Sequence, residues 1–438
     1  MHGHSPSRRR LSSSSSFAAL FHRDFRLFWT GQFLSLTGTQ MQLVAINWHV
    51  YLLTKSAFAL GMVGLVRVLP LVFCSLIGGV VADAFDRKRL MLGAQAVMMV
   101  GAALLALETL VGLQAVWPIY ILTAISSAAS AFDTPARQSL VPALVPMADF
   151  ANAVSLNSVA FQIAIVTGPL LAGLALGQFG PGLVYAVNAC SFLAVIAALL
   201  AIRASSRTSE KSTREVSFGA MVEGLRFVWR TPLIVQTMMT DFIATVTASV
   251  AVLLPIFAVE ILRVGPHGLG LLAAAPAVGA IFTGLVIARY GTGRRPGVIM
   301  LAAVAIYGAS ILFFGVSRTF WISLMLLVIS GAADTVSTVI RQTARQLITP
   351  DRLRGRMTSI NMIFFNGGPR LGEFQAGIVA AALGAPLAVI LGGGACLVGV
   401  LAMALKATNL LNLKALPQRE LNDVAAMSDQ QGTALGRN

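Results

Sequence analysis

Charge is what this sequence has least of. Only 11% of its 438 residues are Asp, Glu, Lys or Arg, while 56% are hydrophobic and the mean hydropathy is +0.79. A water-soluble domain carries about 25% charged residues. A chain so poor in charge cannot clothe a core that faces water on all sides, and a bilayer is the solvent that stabilises it. Acidic residues are scarcer than basic ones, 17 against 32, for a formal net charge of +15. The basic residues lie in short stretches between apolar runs, which is the pattern of membrane topology and not of a nucleic-acid-binding face. No nucleic-acid partner is therefore expected. Cysteine is sparse as well: Cys74, Cys190 and Cys396 each sit in a different apolar run, without metal-ligand spacing. They read as packed thiols, not as a disulfide or a metal site. The chain also lacks a glycine-rich phosphate loop ending in Lys-Ser or Lys-Thr, a His-rich metal spacing and a nucleophile elbow. These absences argue against ATP hydrolysis, metal chemistry and acyl transfer within this chain, so no enzyme activity and no cofactor are expected.

What is present is a series of twelve apolar runs, at 27–53, 58–82, 90–110, 117–136, 151–176, 183–202, 233–257, 269–287, 298–316, 321–340, 357–383 and 387–405. Each is close to the roughly 20 residues that a helix needs to cross the hydrocarbon core. The fifth and eleventh are the most polar. Before them, Arg8 to Arg10 and Ser12 to Ser16 make a polar N-tail over 1–24, and a second polar tail covers 409–438; both are expected to be disordered. The first run is longer than a signal-peptide core, so retention of the N-tail is expected.

All but five of the 32 basic residues fall in the tails and in alternate loops. The opposite loops hold only Lys55, Arg263 and Arg318, and Arg67 and Arg370 lie inside runs. By the positive-inside rule the basic set is cytoplasmic, which places both termini there and suits an even number of crossings. The longest internal loop, 204–232, divides the runs into two sets of six, at 25–203 and 233–408. Its second part, from Phe218 to Trp229, has apolar residues at helical spacing, as in an amphipathic helix lying on the membrane face.

The two sets repeat. A shift of 204 residues superimposes Arg137-Gln138 on Arg341-Gln342, Pro146 on Pro350, Ser155 and Asn157 on Ser359 and Asn361, and Gly168 and Gly173 on Gly372 and Gly377. Six crossings separate the copies, so both have the same orientation. A parallel repeat about an axis along the membrane normal is a transporter architecture.

The loop after the second run reads Gly79-Val-Val-Ala-Asp83-Ala-Phe-Asp86-Arg87-Lys88-Arg89. It resembles the signature loop of the major facilitator superfamily, a Gly leading to an Asp and a basic cluster. Ala84 and Asp86 depart from the usual pattern, and the second set keeps a degraded copy around Gly284, Arg289, Arg294 and Arg295. Three further stretches, Ser130 to Pro146, Arg341 to Ser359 and Val222 to Trp229, are similar to the exporter branch that contains the enterobactin exporter and macrolide-efflux proteins. Gly168-Pro169 with Gly173 resembles part of an antiporter motif. The resemblance covers about Phe25 to Leu405. It implies an all-α membrane protein of twelve transmembrane helices in two parallel six-helix bundles. It further implies a bacterial inner-membrane location, a monomer, and a loop at Gly79, Asp83, Asp86, Arg87, Lys88 and Arg89 that gates the cytoplasmic side. The implied activity is proton-driven export of a small amphipathic molecule, siderophore or drug-like, by rocking of the halves. Uptake of a small metabolite, or a sensor or scaffold without transport, are the alternatives.

Ionisable residues inside membrane helices are costly and so mark function by default. Asp241, about nine residues into the seventh run, is the leading proton-coupling candidate. It could instead only accept hydrogen bonds from nearby threonines. Glu373 and Asp334 are further proton candidates. Arg67, about ten residues into the second run, is near the midplane and suits an anionic cargo group or an ion pair between the halves. Arg370 lies three residues from Glu373, on the same helix face, where the two can pair. Asp133 and Asp334 sit near Arg137 and Arg341 and suit gating pairs. Gln32, Gln40, Asn47 and Asn366 are cavity candidates or interhelical glue. Glu108 and His49 lie near the outer ends of their helices, the latter read as an interfacial histidine. The resemblance places the first, fourth, seventh and tenth helices around the cavity, and so Asp241 and Asp334 beside it.

Overall fold

The structure, a computed structural model, describes residues 17–84, 86–113, 115–202, 226–229, 231–293, 295–349 and 354–406. Side chains at 75–84, and at 354–366 apart from Met357, are not described. The side chains of Gly79, Asp83 and Asn366, both tails beyond these limits, and most of the 204–232 linker therefore lie outside the described residues.

Among those residues the architecture is helical throughout. The helices are α1 (Arg23–Thr54), α2 (Ala57–Ala84), α3 (Arg87–Val111) and α4 (Trp117–Leu144). One continuous stretch, Phe150–Ala201, breaks at Gly180, where φ is 75° and ψ is −175°. Its limbs are α5 (150–179) and α6 (181–201). Then follow α7 (Pro232–Thr247), α8 (Gly265–Tyr290), α9 (Pro296–Val316), α10 (Phe320–Ile348), α11 (Arg354–Leu383) and α12 (Ala385–Lys406). Proline sits in the first turn of α4, α7, α8 and α9. There its missing N–H would have had no intrahelical partner. Gly112 in the left-handed region ends α3, and Asp86 begins it by accepting from the Arg89 N–H at 2.9 Å.

Several helices outrun the apolar runs, because a helix need not stop where the lipid does. α4 continues to Leu144 and α10 to Ile348, so Arg137, Arg341 and Arg345 are helix residues and not loop residues. Eight stretches among the described residues are long and apolar enough to cross a membrane by length and composition. One of them, Met147–Ala201, contains the Gly180 break and holds two limbs. The long helices that do not qualify are α1, α4 and α11. Each carries Gln, Asn, Ser, Thr or charged residues that lower its hydropathy.

The packing pairs α1 with the α5–α6 stretch, α3 with α4, α2 with α4, α8 with α10 and α9 with α12. Among the described residues the most extensive contacts between the early helices and the late ones are α2 with α11 and α5 with α8. Both are close because small residues face each other. A Cβ on Gly173 would meet the backbone of Pro266 and Gly270, and one on Gly64 would meet the Arg370 carbonyl. The largest apolar cluster draws on both sets. From α1–α6 it takes residues such as Tyr51, Leu60, Ile119 and Tyr185, all at the end where the short turns 55–56 and 112–116 lie. At the opposite end Phe25, Met91, Leu140 and Leu199 pack within the first set alone, and Val228, Ile234, Met238 and Met357 within the second. Among the described residues, the turn end is the end where the two sets share a core.

Candidate functional site

The polar residues of α10 form one stripe. Asp334, Thr338, Arg341 and Arg345 recur at i, i+4, i+7 and i+11, on one face of the helix. Asp241 of α7 faces this stripe. Its carboxylate accepts from Arg341 at 2.8 Å, and the same guanidinium lies 4.0 Å from Asp334 and donates to the Thr338 hydroxyl at 2.8 Å. Arg345 is close enough to interact electrostatically with both Asp241 and Arg341. Thr237, Met238, Asp241, Thr338, Arg341, Gln342 and Arg345 line a pocket between α7 and α10. Arg341 is only 5% exposed, so its charge is held by carboxylates and not by water. Two carboxylates sharing one guanidinium make an arrangement in which neutralising either acid hands the cation to the other.

A second charge cluster crosses between the sets. Arg67 of α2 lies 3.5 Å from Glu373 of α11, just below the glycine crossing, and both side chains are 13% exposed. Arg370 is near enough to feel both charges. Glu373 therefore stands between Arg370, three residues away on its own helix, and Arg67 across the α2–α11 contact. Helical spacing can propose a neighbour three residues away, but it cannot see a neighbour on another helix.

The repeat carries its own geometry. Arg137 on α4 donates to Gln32 of α1 at 3.3 Å and lies 4.0 Å from Asp133, whose carboxylate also accepts from Gln95 at 2.8 Å. Its counterpart 204 residues on, Arg341 on α10, holds α7 in the same way, with Asp241 in place of a glutamine. The counterpart of Gln32, Gln236, is present, but its side-chain oxygen has no hydrogen-bond partner among the described residues.

Other residues singled out in the sequence do not join either cluster. Gln40 packs against Gly168 on α5, and Gln40 and Asn47 are half-buried on α1. In the signature loop, Arg87 donates to the Ser139 carbonyl at 3.0 Å and Lys88 to the Ile202 carbonyl at 2.8 Å, tying the start of α3 to the ends of α4 and α6. Sequence reasoning missed two contacts. Asn188 donates to Gln42 at 2.6 Å inside the α1–α6 contact, and its only signal was an amide inside an apolar run. Tyr51 donates to Glu260 at 2.5 Å, joining α1 to the far end of the seventh helical segment. That end departs from the α-helix after Thr247 and includes a π-helical turn over Phe257–Ile261. Such turns often sit at functional positions, and no residue pattern announced this one.

Ion pairs between packed helices, with two helix sets joined at one end, fit a membrane transporter. The chain belongs to the family described as transmembrane secretion effector, which matches residues 14–432, and it is a multi-pass transporter of the major facilitator type and not an enzyme. Its curated relatives include the enterobactin exporter EntS of Citrobacter koseri, 24% identical over 386 residues that cover 88% of this chain and 92% of that protein. EntS of Salmonella typhimurium is 24% identical over 339 residues, covering 77% and 81%. Solved structures with the same fold include the nucleoside transporter NupG, with a TM-score of 0.71 at 12% identity over 87% of this chain and 99% of that one. A bacterial homologue of the iron transporter ferroportin, in the inward-facing state, gives 0.65 at 14% identity over 88% and 99%.

Proposed function

We propose that the chain is a proton-driven exporter of a small amphipathic molecule, siderophore or drug-like, working by alternating access. In this reading twelve helices, α1–α12, cross the bacterial inner membrane as two six-helix bundles with both termini in the cytoplasm, and the monomer is the working unit. The observation that carries it is the Asp241–Arg341 ion pair, set on the pocket between α7 and α10 with Asp334 and Arg345 around it. A proton arriving at Asp241 removes the charge that holds Arg341. The guanidinium then turns to Asp334 or to an anionic group on the cargo, and loss of the proton restores the pair. The enterobactin exporters among the relatives favour a siderophore-sized cargo. Arg67 and Glu373, at the contact between the sets, are placed to break and re-form as the bundles rock.

Everted membrane vesicles test this. With an inward-acid proton gradient, vesicles holding the protein accumulate enterobactin or a fluorescent efflux dye, and collapse of the gradient releases it. Asp241→Asn reaches the membrane in normal amount and loses the gradient-driven component. Failure of the wild type to accumulate either probe, or an unimpaired Asp241→Asn, sinks the proposal.

A further inference from the structure

Three titratable side chains that the transport site does not use meet at the turn end of α1, α3 and α6. Glu108, in the last turn of α3, is 5% exposed, and neither of its carboxyl oxygens has a hydrogen-bond partner among the described residues. Tyr185 of α6 is fully buried and within electrostatic reach of Glu108. The Tyr185 hydroxyl lies 3.3 Å from Nδ1 of His49 on α1, itself buried, with the two rings 5.9 Å apart. His49, read from sequence as interfacial, is thus an interior residue.

Among the described residues, the helices packed around Glu108 bring it no counter-charge. α5 and α6 contain no Asp, Glu, Lys or Arg. The other charged residues of α3 are Arg87, Lys88 and Arg89 at its far end, those of α4 are Asp133 and Arg137 towards the far end, and α2 has none before Arg67. Tyr120 of α4 commits its hydroxyl to the Ala59 carbonyl at 2.7 Å, and Lys55 lies over the Tyr51 ring at 4.5 Å. An ionised carboxylate here, with neither hydrogen bond nor cation, bears a heavy solvation penalty, whereas the neutral acid does not.

We propose that Glu108 is a proton-binding site in the first helix set, and that Tyr185 and His49 are its exchange route to α1. After a rotamer change brings Glu108 to Tyr185, the acid proton passes to the Tyr185 oxygen while the Tyr185 hydroxyl proton passes to His49 Nδ1. A carboxylate and an imidazolium result, and Tyr185 is neutral before and after. The site needs neither a cargo nor a direction of transport, and it is distinct from Asp241 in the second set.

Infrared difference spectroscopy of the full-length protein in liposomes tests it without any cargo. The wild type shows the C=O stretch of a protonated, weakly hydrogen-bonded carboxyl at neutral pH. That band shifts in heavy water, fades reversibly as pH is raised, and is missing from Glu108→Gln. Glu108→Asp keeps it at a changed frequency, which guards against a Gln variant that fails to fold. Tyr185→Phe keeps the band but slows its deuterium exchange about tenfold. A band absent from the wild type, unchanged in Glu108→Gln, or neither titrating nor exchanging overturns the site, and normal exchange in Tyr185→Phe overturns the route. Asp241→Asn leaves this band in place, so the result stands apart from the coupling role given to Asp241.

Discussion

Arg341 shows why single residues here are read in pairs. It is nearly buried, and its charge is held by Asp241 at 2.8 Å with Asp334 at 4.0 Å. Removing one member of such a pair leaves an uncompensated charge, whereas removing both can be almost neutral. Arg341→Gln should therefore lower unfolding stability in detergent by on the order of 3 kcal/mol, and Asp241→Asn combined with Arg341→Gln should recover most of that loss. Thermal unfolding of the purified single and double variants checks it; a double variant as unstable as Arg341→Gln would mean that the pair is not the arginine's principal support. Asp241 could be picked from the sequence because a carboxylate inside an apolar run is rare and costly. From the sequence Arg341 could be paired only with Asp334, near it in the chain, because its contact with Asp241 depends on how α7 packs on α10. Glu373 illustrates the same limit, since its ion-pair partner is Arg67 on another helix.

Among the elements, the seventh helical segment is the irregular one. It leaves α-geometry after Thr247, passes a 3-10 turn at Ala251–Leu253 and a π turn at Phe257–Ile261, and there receives the Tyr51 hydrogen bond. Tyr51 is 1% exposed, beside Leu253 and Phe257 in the shared core. Leaving such a part-buried hydrogen bond unmade costs about 1–3 kcal/mol, so Tyr51→Phe should raise the population opened at the turn end by about tenfold. A cysteine placed at Leu253 in a cysteine-free background reports this as faster alkylation by a water-soluble reagent. Equal labelling rates with and without the Tyr51 hydroxyl would show that apolar packing alone keeps this end shut. The helix periods, the prolines at helix starts and the Gly180 break were open to reading from sequence, because backbone sterics act locally. The π turn was not, because it follows from how the segment must fit against α1 and α2.

At the scale of the whole molecule, the shared core at the turn end and the separate cores at the other end give one arrangement of two helix sets. In the proposed topology the basic loops face the cytoplasm. Cysteines placed at Asp86 and in the 317–319 turn should then label from opposite sides of the membrane, the first from inside and the second from outside. Labelling of both from one side would refute the twelve-crossing topology with cytoplasmic termini.

Composition by itself determined that the chain lives in a bilayer, since too few charges exist to face water. Its 204-residue repeat and signature loop pointed to a transporter of the major facilitator type, because repeats and loop motifs are carried by residue order alone. Tertiary structure alone decided which polar groups meet: Asp241 with Arg341, Glu373 with Arg67, Tyr51 with Glu260. In a membrane interior every polar group must find its partner within the protein, and that partner is chosen by which helices pack together, not by how far apart two residues stand in the chain.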